Sequence, residues 1–344
     1  MNKLLRITLK SLTALIAVLA VTWLILAWQA GMFLSDTAKI DGRDRVASSS
    51  FSAQKKFVRV GKHNVAYIEM GQGEPLLLLH GCPFSAAEWL RVLPELAQHY
   101  RVLAPDWLGL GDTEVTLHDD YRLPQDVALL VGFMDAMGVP HANILAHDHG
   151  GAVAQLMMAQ YPQRIVRLVM SNVEAYDQWP SKPEVKYLKA IVNPLSSPFV
   201  YTALKFEAVQ KKIFSIAVHD PNTLTPEILV EWTTTHTASP ARWQRLRRFF
   251  AWQLDPEHNR VPLAAVPGMR QFSKPVLLLW GRNDTNFGPA LAERLKGDIP
   301  GALEIQYLEH SAHMPMVEEP QEYLKAALAF LQASNDVAPA APIP

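Results

Sequence analysis

"ILAHDHGG" (residues 144–151) joins an apolar run to two glycines through three ionisable side chains, His147, Asp148 and His149. A near-continuous run of Val, Ile and Leu reads as a parallel strand covered on both faces. A strand that only has to turn does so with Gly, Asn or Ser, so three ionisable residues at its end point to chemistry. Comparable runs are "PLLLLHG" (75–81), "RVLAPDW" (101–107), "VRLVMSN" (166–172), "PVLLLWG" (275–281) and "EIQYLEHS" (304–311). "KFVRVG" (56–61) and "NVAYIEMG" (64–71) read as an opening hairpin. Amphipathic stretches such as 123–137 and 152–161 separate the runs. This alternation predicts an α/β sheet with right-handed crossovers.

In such sheets ligands bind outside the carboxyl ends of the strands. Those ends carry His80, Asp106, Asp148, Asn172 and Asp284, with His310 and His313 after the last run. From about 174 to 266 the alternation stops. That segment holds Trp179, Trp232, Trp243 and Trp252 and several prolines, and it reads as a helical cap over the strand ends that excludes water and forms the substrate pocket.

The 344 residues are 49% hydrophobic and 19% charged, enough for a sizeable core, and the net charge of -1 gives no electrostatic case for nucleic acid. Cys82 is the only cysteine, which excludes an intrachain disulfide and a thiolate-rich zinc site. No cofactor and no metal is expected.

The N-terminus differs from the rest. Lys3, Arg6 and Lys10 precede "SLTALIAVLAVTWLILAWQAGMFLS" (11–35), which has no charged side chain. About 20 apolar residues span a bilayer as a helix, and Trp28 occupies a position that a cleavage site reserves for a small residue. Residues 1–35 are therefore expected to be an uncleaved membrane anchor, with secretion after signal cleavage as the alternative. The preceding positive charges favour a cytoplasmic N-terminus and a catalytic domain outside the cytoplasm, periplasmic if the source is bacterial. Residues 36–54 are polar, Ser-rich and aperiodic and read as a linker; residues 334–344 are Pro/Ala-rich and read as a disordered tail. The predicted organisation is an anchor (1–35), a linker (36–54), a core (55–173 and 267–333), a cap (174–266) and a tail (334–344).

"AHDHGG" follows a strand and opens a helix, the context of a nucleophile elbow. Small residues must stand two positions either side of the nucleophile. Ala146 and Gly150 do so around Asp148, which takes the place usual for Ser, near a helix N-terminus that favours its ionised form. In the chain order nucleophile, acid, histidine, "VLLLWGRND" delivers Asp284 and "LEHSAHMPMVEEP" delivers His313. His313 would be the general base and Asp284 would hold its tautomer. His310 is the rival base. His147 reads as packing under the turn, and His80 as a structural histidine.

These motifs resemble the α/β-hydrolase superfamily, specifically its aspartate-nucleophile branch of haloalkane dehalogenases, haloacetate dehalogenases and epoxide hydrolases. The resemblance spans about residues 56–332 and is densest at "LLLLHGCPFSAAEW", "RVLAPDWLGLGDTE", "LAHDHGG", "LLLWGRND" and "SAHMPMVEEP". It implies a mostly parallel eight-stranded sheet with helices on both faces and an inserted helical cap. It also implies oxyanion donors from the backbone N–H groups of His149 and Cys82. An Asp attacking acyl carbon would leave an anhydride, so attack on saturated carbon fits better: an alkyl ester forms on Asp148 and water activated by His313 hydrolyses it. The expected partners are a small lipophilic substrate, water and, through the N-terminal helix, a membrane.

The leaving group stays open. Haloalkane dehalogenases usually place Trp after the nucleophile and Asn in the HG-x-P motif; here His149 and Cys82 stand there. Haloacetate dehalogenases usually have Arg after the nucleophile. Epoxide hydrolases use two cap tyrosines; Tyr176, Tyr187 and Tyr201 are candidates, while Gln244 stands where the second is expected. Phe84, Tyr176, Tyr187, Trp243 and Gln244 are the expected pocket residues. Glu174 serves as the acid in some relatives and is kept as an alternative. Two other readings remain: a membrane-anchored ligand-binding sensor on this fold, and an esterase- or lactonase-like hydrolase. "RWQRLRRFF" (242–250) is either a solvated cap helix or, through Arg245 and Arg248, a contact with anionic lipid.

Overall fold

The computed structural model describes residues 3–42, 51–257 and 260–333; the tail and residues 43–50 of the expected linker lie outside them. Eight strands form one sheet: β1 (Lys56–Val60), β2 (His63–Met70), β3 (Pro75–Leu79), β4 (Arg101–Pro105), β5 (Ala142–His147), β6 (Ile165–Val173), β7 (Val276–Gly281) and β8 (Ala302–Leu308). Their spatial order is β8-β7-β6-β5-β3-β4-β2-β1. β1 and β2 are antiparallel, as are β2 and β4; the other neighbours are parallel. The runs without a polar alternation lie at the centre. Every residue of β5 and β7 is buried, which both faces of a parallel sheet under helices require.

Among the described residues, the α-helices longer than four residues are α1 (Lys3–Gln29), α2 (Leu123–Ala136), α3 (Asp148–Gln160), α4 (Val185–Val192), α5 (Ser197–Ala203), α6 (Glu207–Phe214), α7 (Pro226–Thr237), α8 (Pro240–Gln253), α9 (Arg260–Met269), α10 (Pro289–Asp298) and α11 (Pro320–Gln332). α4 to α9 all intervene between β6 and β7. α7 and α8 start on well-formed caps, with Thr225 and Ser239 accepting from the N–H groups of Ile228 and Arg242 and a proline in each first turn. α9 runs past residue 266, and Gly268 lies so close to Ala159 of α3 that a Cβ there would stand 2.4 Å from the alanine Cβ. The crossing segment therefore rejoins the sheet layer before residue 266, because α9 packs on α3 and not over the strand ends.

The stretch expected to be a linker is tied to the fold wherever it is described. Lys39–Ile40 pairs antiparallel with Val115–Thr116, and Ile40 is buried. Ser52 donates to Glu231, and just past this stretch the buried ammonium of Lys55, the first core residue, lies between Asp106 and Asp112. A Ser-rich composition hides these few anchoring side chains.

In α1, Lys10–Gln29 has a mean hydropathy of 2.2 and is long and apolar enough to cross a membrane by length and composition. Its C-terminal end packs on the cap: Trp23 Nε1 donates to Leu195 O at 3.2 Å, and Gln244 Nε2 donates to Ala30 O at 2.6 Å.

The basic face of α8 is turned largely into the protein. Arg242 and Arg245 are fully buried; Arg242 pairs with Asp112 at 2.8 Å, and Arg245 donates to Gly111 O and Thr235 O. Arg248 donates to Leu117 O and pairs with Asp36. Guanidinium groups crowded against carbonyls hold the cap to the core; the burial of Arg245 removes it as a lipid ligand, while Arg248 stays partly exposed.

Candidate active site

β5 ends at His147 and α3 begins at Asp148 with no intervening loop. Asp148 has φ 49°, the left-handed region that a non-glycine residue adopts only under local constraint. The close approach of β3 supplies that constraint: a Cβ on Gly150 would stand 2.1 Å from Leu79 O. The small residues in "AHDHGG" thus let the turn sit on the neighbouring strand and lift one side chain above the sheet.

That carboxylate meets His313, which the chain order assigns to it, and the Cys82 N–H, one of the two donors the resemblance implies. Cys82 N–H donates to Asp148 Oδ1 at 2.6 Å, and His313 Nε2 stands 3.3 Å from Asp148 Oδ2. His313 Nδ1 lies 3.0 Å from Asp284 Oδ2. Asp284 accepts from Asn172 Nδ2 at 2.8 Å and from Asn286 N–H at 2.7 Å. Asn172 also accepts from Gly281 N–H at 2.8 Å, so it ties the ends of β6 and β7 together behind the acid. Asp148, Asp284 and His313 are all at most 5% exposed.

Burial alone would neutralise these groups, but their mutual attraction wins. Burial pushes Asp148 up, yet the adjoining His313, His147 and the Cys82 N–H bring it below the usual carboxylate range. Asp284 is likewise lowered by His313, Asn286 and Asn172 against its burial. Burial would lower His313, but Asp284 and Asp148 raise it well above the ordinary imidazole value. All three directions favour an imidazolium between two carboxylates.

His310 is exposed at the surface and does not reach Asp148, so it is not the base. Glu174 faces His149 and not His313. His80 holds Gly81 O and receives Trp107 N–H. His147 does more than fill space: its Nε2 lies 2.8 Å from His313 O and its Nδ1 3.0 Å from Glu88 Oε1, which braces the loop carrying His313.

His149 is corrected in one respect. Its side chain does not line the pocket. Nε2 lies 3.1 Å from Asp126 and Nδ1 3.4 Å from Glu174, beneath the turn. Burial opposes the charge, but the two carboxyls overcome it and raise His149 to about 10. With both nitrogens engaged, the imidazole is not available to a leaving group.

An apolar cavity of about 270 Å³ is lined by Cys82 and His313, the two residues that meet the Asp148 carboxylate, from the core and by α4 to α8 from the cap. Phe84 and Tyr187 line it as expected. Tyr176, Trp243 and Gln244 do not. Tyr176 donates to Asp298 at 2.8 Å, Trp243 donates to Ser197 Oγ at 3.0 Å, and Gln244 is held by Ala30 O and Arg247. α8 instead turns Leu246 and Phe250 to the cavity, one helical turn apart. Tyr201 reaches Thr237 O at 3.4 Å and is not part of the lining. Burial raises the Cys82 thiol well above its ordinary value, so it stays protonated.

The cavity also holds a carboxyl that was not singled out in the sequence. Glu184, at the start of α4, accepts from Ser181 Oγ at 2.6 Å and from Asn286 Nδ2 at 3.3 Å. Burial and then the Asp148 charge push Glu184 up to about 7. The signal in "SKPEVKYL" is a lone acid in a Lys-rich cap segment, and it does not stand out without the fold.

Residues 74–320 match the family model for the alpha/beta hydrolase fold, and the chain belongs to that family of hydrolases. A 2-hydroxy-6-oxo-6-phenylhexa-2,4-dienoate hydrolase from Burkholderia cepacia is 23% identical over 303 residues, covering 82% of this chain and 98% of its own. Epoxide hydrolase 4 of Homo sapiens is 25% identical over 283 residues, covering 77% of this chain and 75% of its own. Among solved structures, the epoxide hydrolase CorEH shares the fold with a TM-score of 0.68 at 21% identity, over 80% of this chain and 98% of that one.

Proposed function

We propose that this hydrolase opens a lipophilic epoxide through an alkyl ester on Asp148, with His313 and Asp284 hydrolysing the ester and Glu184 protonating the departing oxygen. The observation that carries the ester reading is the placement of one buried carboxylate between the Cys82 N–H at 2.6 Å and the His313 imidazole at 3.3 Å. Oδ1 is held by the N–H, and Oδ2 is left to attack the ring carbon. The new C–O bond forms as the ring C–O bond breaks, and the ring oxygen takes the proton of Glu184. His313 then loses one of the two carboxylate charges that hold it cationic. Its proton returns to Glu184, and the neutral imidazole accepts a proton from water attacking the Asp148 carbonyl carbon. The oxyanion that forms is stabilised by Cys82 N–H. His313 then protonates the departing alkoxide, which leaves a diol and Asp148 as its acid; that acid gives its proton back to His313, which restores the carboxylate and the imidazolium.

An oxygen leaving group is favoured over a halide by what the cavity contains. His149 is turned away, and the Cys82 thiol is a weak donor. Glu184 is the cavity group whose carboxyl titrates near neutrality, and a poised acid of this kind suits a basic alkoxide. Of the cap tyrosines that resemblance leads one to expect, Tyr187 lines the cavity, and Glu184 takes the part of the missing second one. The epoxide hydrolases among the relatives are consistent with this reading.

The test is a His313→Gln variant incubated with panels of epoxides, haloalkanes and haloacetates, followed by intact and peptide mass. The expected result is an adduct on the Asp148 peptide from epoxides. Adducts from halides alone would keep the ester and overturn the leaving group. Reversible binding without an adduct, with no turnover by the parent, would replace the enzyme by a sensor.

A further inference from the structure

We propose that the α4–α5 corner of the cap is sunk in a lipid bilayer beside α1, and that the cavity takes its substrate from the lipid at that point. The inference rests on the lipophilic-substrate reading above for its last step, but the lipid contact itself does not.

The register between α1 and the cap sets the depth. Trp23 of α1 donates to Leu195 O of the α4–α5 connection. Residue 23 lies six positions before Gln29, where the apolar span ends, and at 1.5 Å per residue this is roughly 9 Å along the helix axis. A membrane crossed by Lys10–Gln29 therefore reaches the level of Leu195. The cap is suited to that level. Leu195 is 69% exposed and Phe199 50%, and Phe206 at the start of α6 is 63% exposed. Exposed apolar groups clustered beside a membrane-length helix mark a lipid contact and not a solvated surface.

The relative position of α1 and the cap is fixed by several contacts. Gln244 holds Ala30 O, Arg248 pairs with Asp36, and the close approach of Gly31 to Pro240 leaves 2.8 Å for a Cβ. The cap cannot swing clear of the bilayer while these persist. The flanking charge is also suitable. Residues 182–212 contain six Lys against two Glu, and lysines around an embedded apolar patch extend to anionic phosphates.

α5 connects this surface with the cavity. Val200 and Leu204 line the cavity, while Phe199 on the same helix is exposed. Ile216 both lines the cavity and is 38% exposed. One short helix thus separates the catalytic cavity from lipid, and an apolar molecule dissolved in the bilayer need not cross water to reach Asp148.

The full chain is reconstituted in phosphatidylcholine–phosphatidylglycerol vesicles, with a fluorophore on Phe199→Cys or, as reference, on Lys325→Cys of α11; the parent, labelled alike, gives the Cys82 background. Nitroxide carried high on the acyl chain should quench the probe at 199 strongly and leave that at 325 unaffected. Equal, weak quenching at both positions overturns the proposal. Leu195→Asp/Phe199→Asp should lower kcat/KM for a vesicle-dissolved epoxide about tenfold or more, with a water-soluble epoxide unchanged. Loss on both substrates alike would overturn the lipid route. If the parent opens no epoxide but position 199 is quenched, the epoxide reading fails and the lipid contact stands.

Discussion

The strand-end site and the cap use their polar side chains differently. At the strand ends, Asp148, His313, Asp284, Asn172 and Asn286 form a chain of contacts that begins at the Asp148 carboxylate. In the cap, Trp243, Gln244, Arg242 and Arg245 are equally buried, but their partners are α5, α1 and the loop at Gly111. One region points its polar atoms at a future substrate; the other uses them to hold an apolar shell in place. Burial of a polar residue therefore does not mark function in this molecule. What distinguishes the site is that its charges converge on a cavity.

The largest effect expected to test that contrast is on Asp148. Asp148→Ala should lower kcat/KM by about 10⁴-fold or more while leaving the fold intact by circular dichroism. A residual rate near that of the parent would remove the carboxylate from the chemistry. Next comes Glu184, the cap carboxyl that lines the cavity. Glu184→Gln should slow epoxide opening by about 10²-fold or more and leave any halide displacement within about a factor of three. The acid form is the active one, so parent activity should fall as pH rises through about 7. That limb should vanish in the variant; a limb unchanged in position assigns it to another group.

His149 sharpens the comparison from the structural side. Its folded value of about 10 lies above the ordinary imidazole value, so the stabilisation is complete below about pH 6.5 and is lost as pH rises through about 10. His149→Gln should cost about 3 kcal/mol in urea unfolding at pH 6, and the difference from the parent should shrink toward pH 10. A constant difference would mean that packing, and not charge, is what His149 supplies. The smallest effect belongs to Gln244. Gln244→Ala removes a bond to Ala30 O and should cost about 1 kcal/mol with kcat/KM unchanged. A large kinetic effect would return Gln244 to the pocket.

The legible parts of the sequence are those in which local chemistry and position coincide. Asp148 is recognisable because small residues flank it at fixed spacing, and Asp284 and His313 because each follows an apolar strand. The cap residues were harder. Tyr176, Trp243 and Gln244 have suitable side chains for a pocket, but which face of a helix meets the cavity depends on what packs on the opposite face. For Gln244 that neighbour is Ala30, 214 positions away. The arginines of α8 misled for the same reason: a basic face reads as solvated until a distant Asp112 closes on it.

By itself the sequence determined the strand periodicity, the elbow at Asp148, the order of its two partners and an apolar N-terminal span, because each depends on residues near one another along the chain. The tertiary structure alone decided that His149 faces Asp126 and Glu174, that Glu184 reaches the cavity, and that α1 is bonded to the cap. Those outcomes depend on which surfaces meet when helices from separate parts of the chain bury their apolar faces against one sheet.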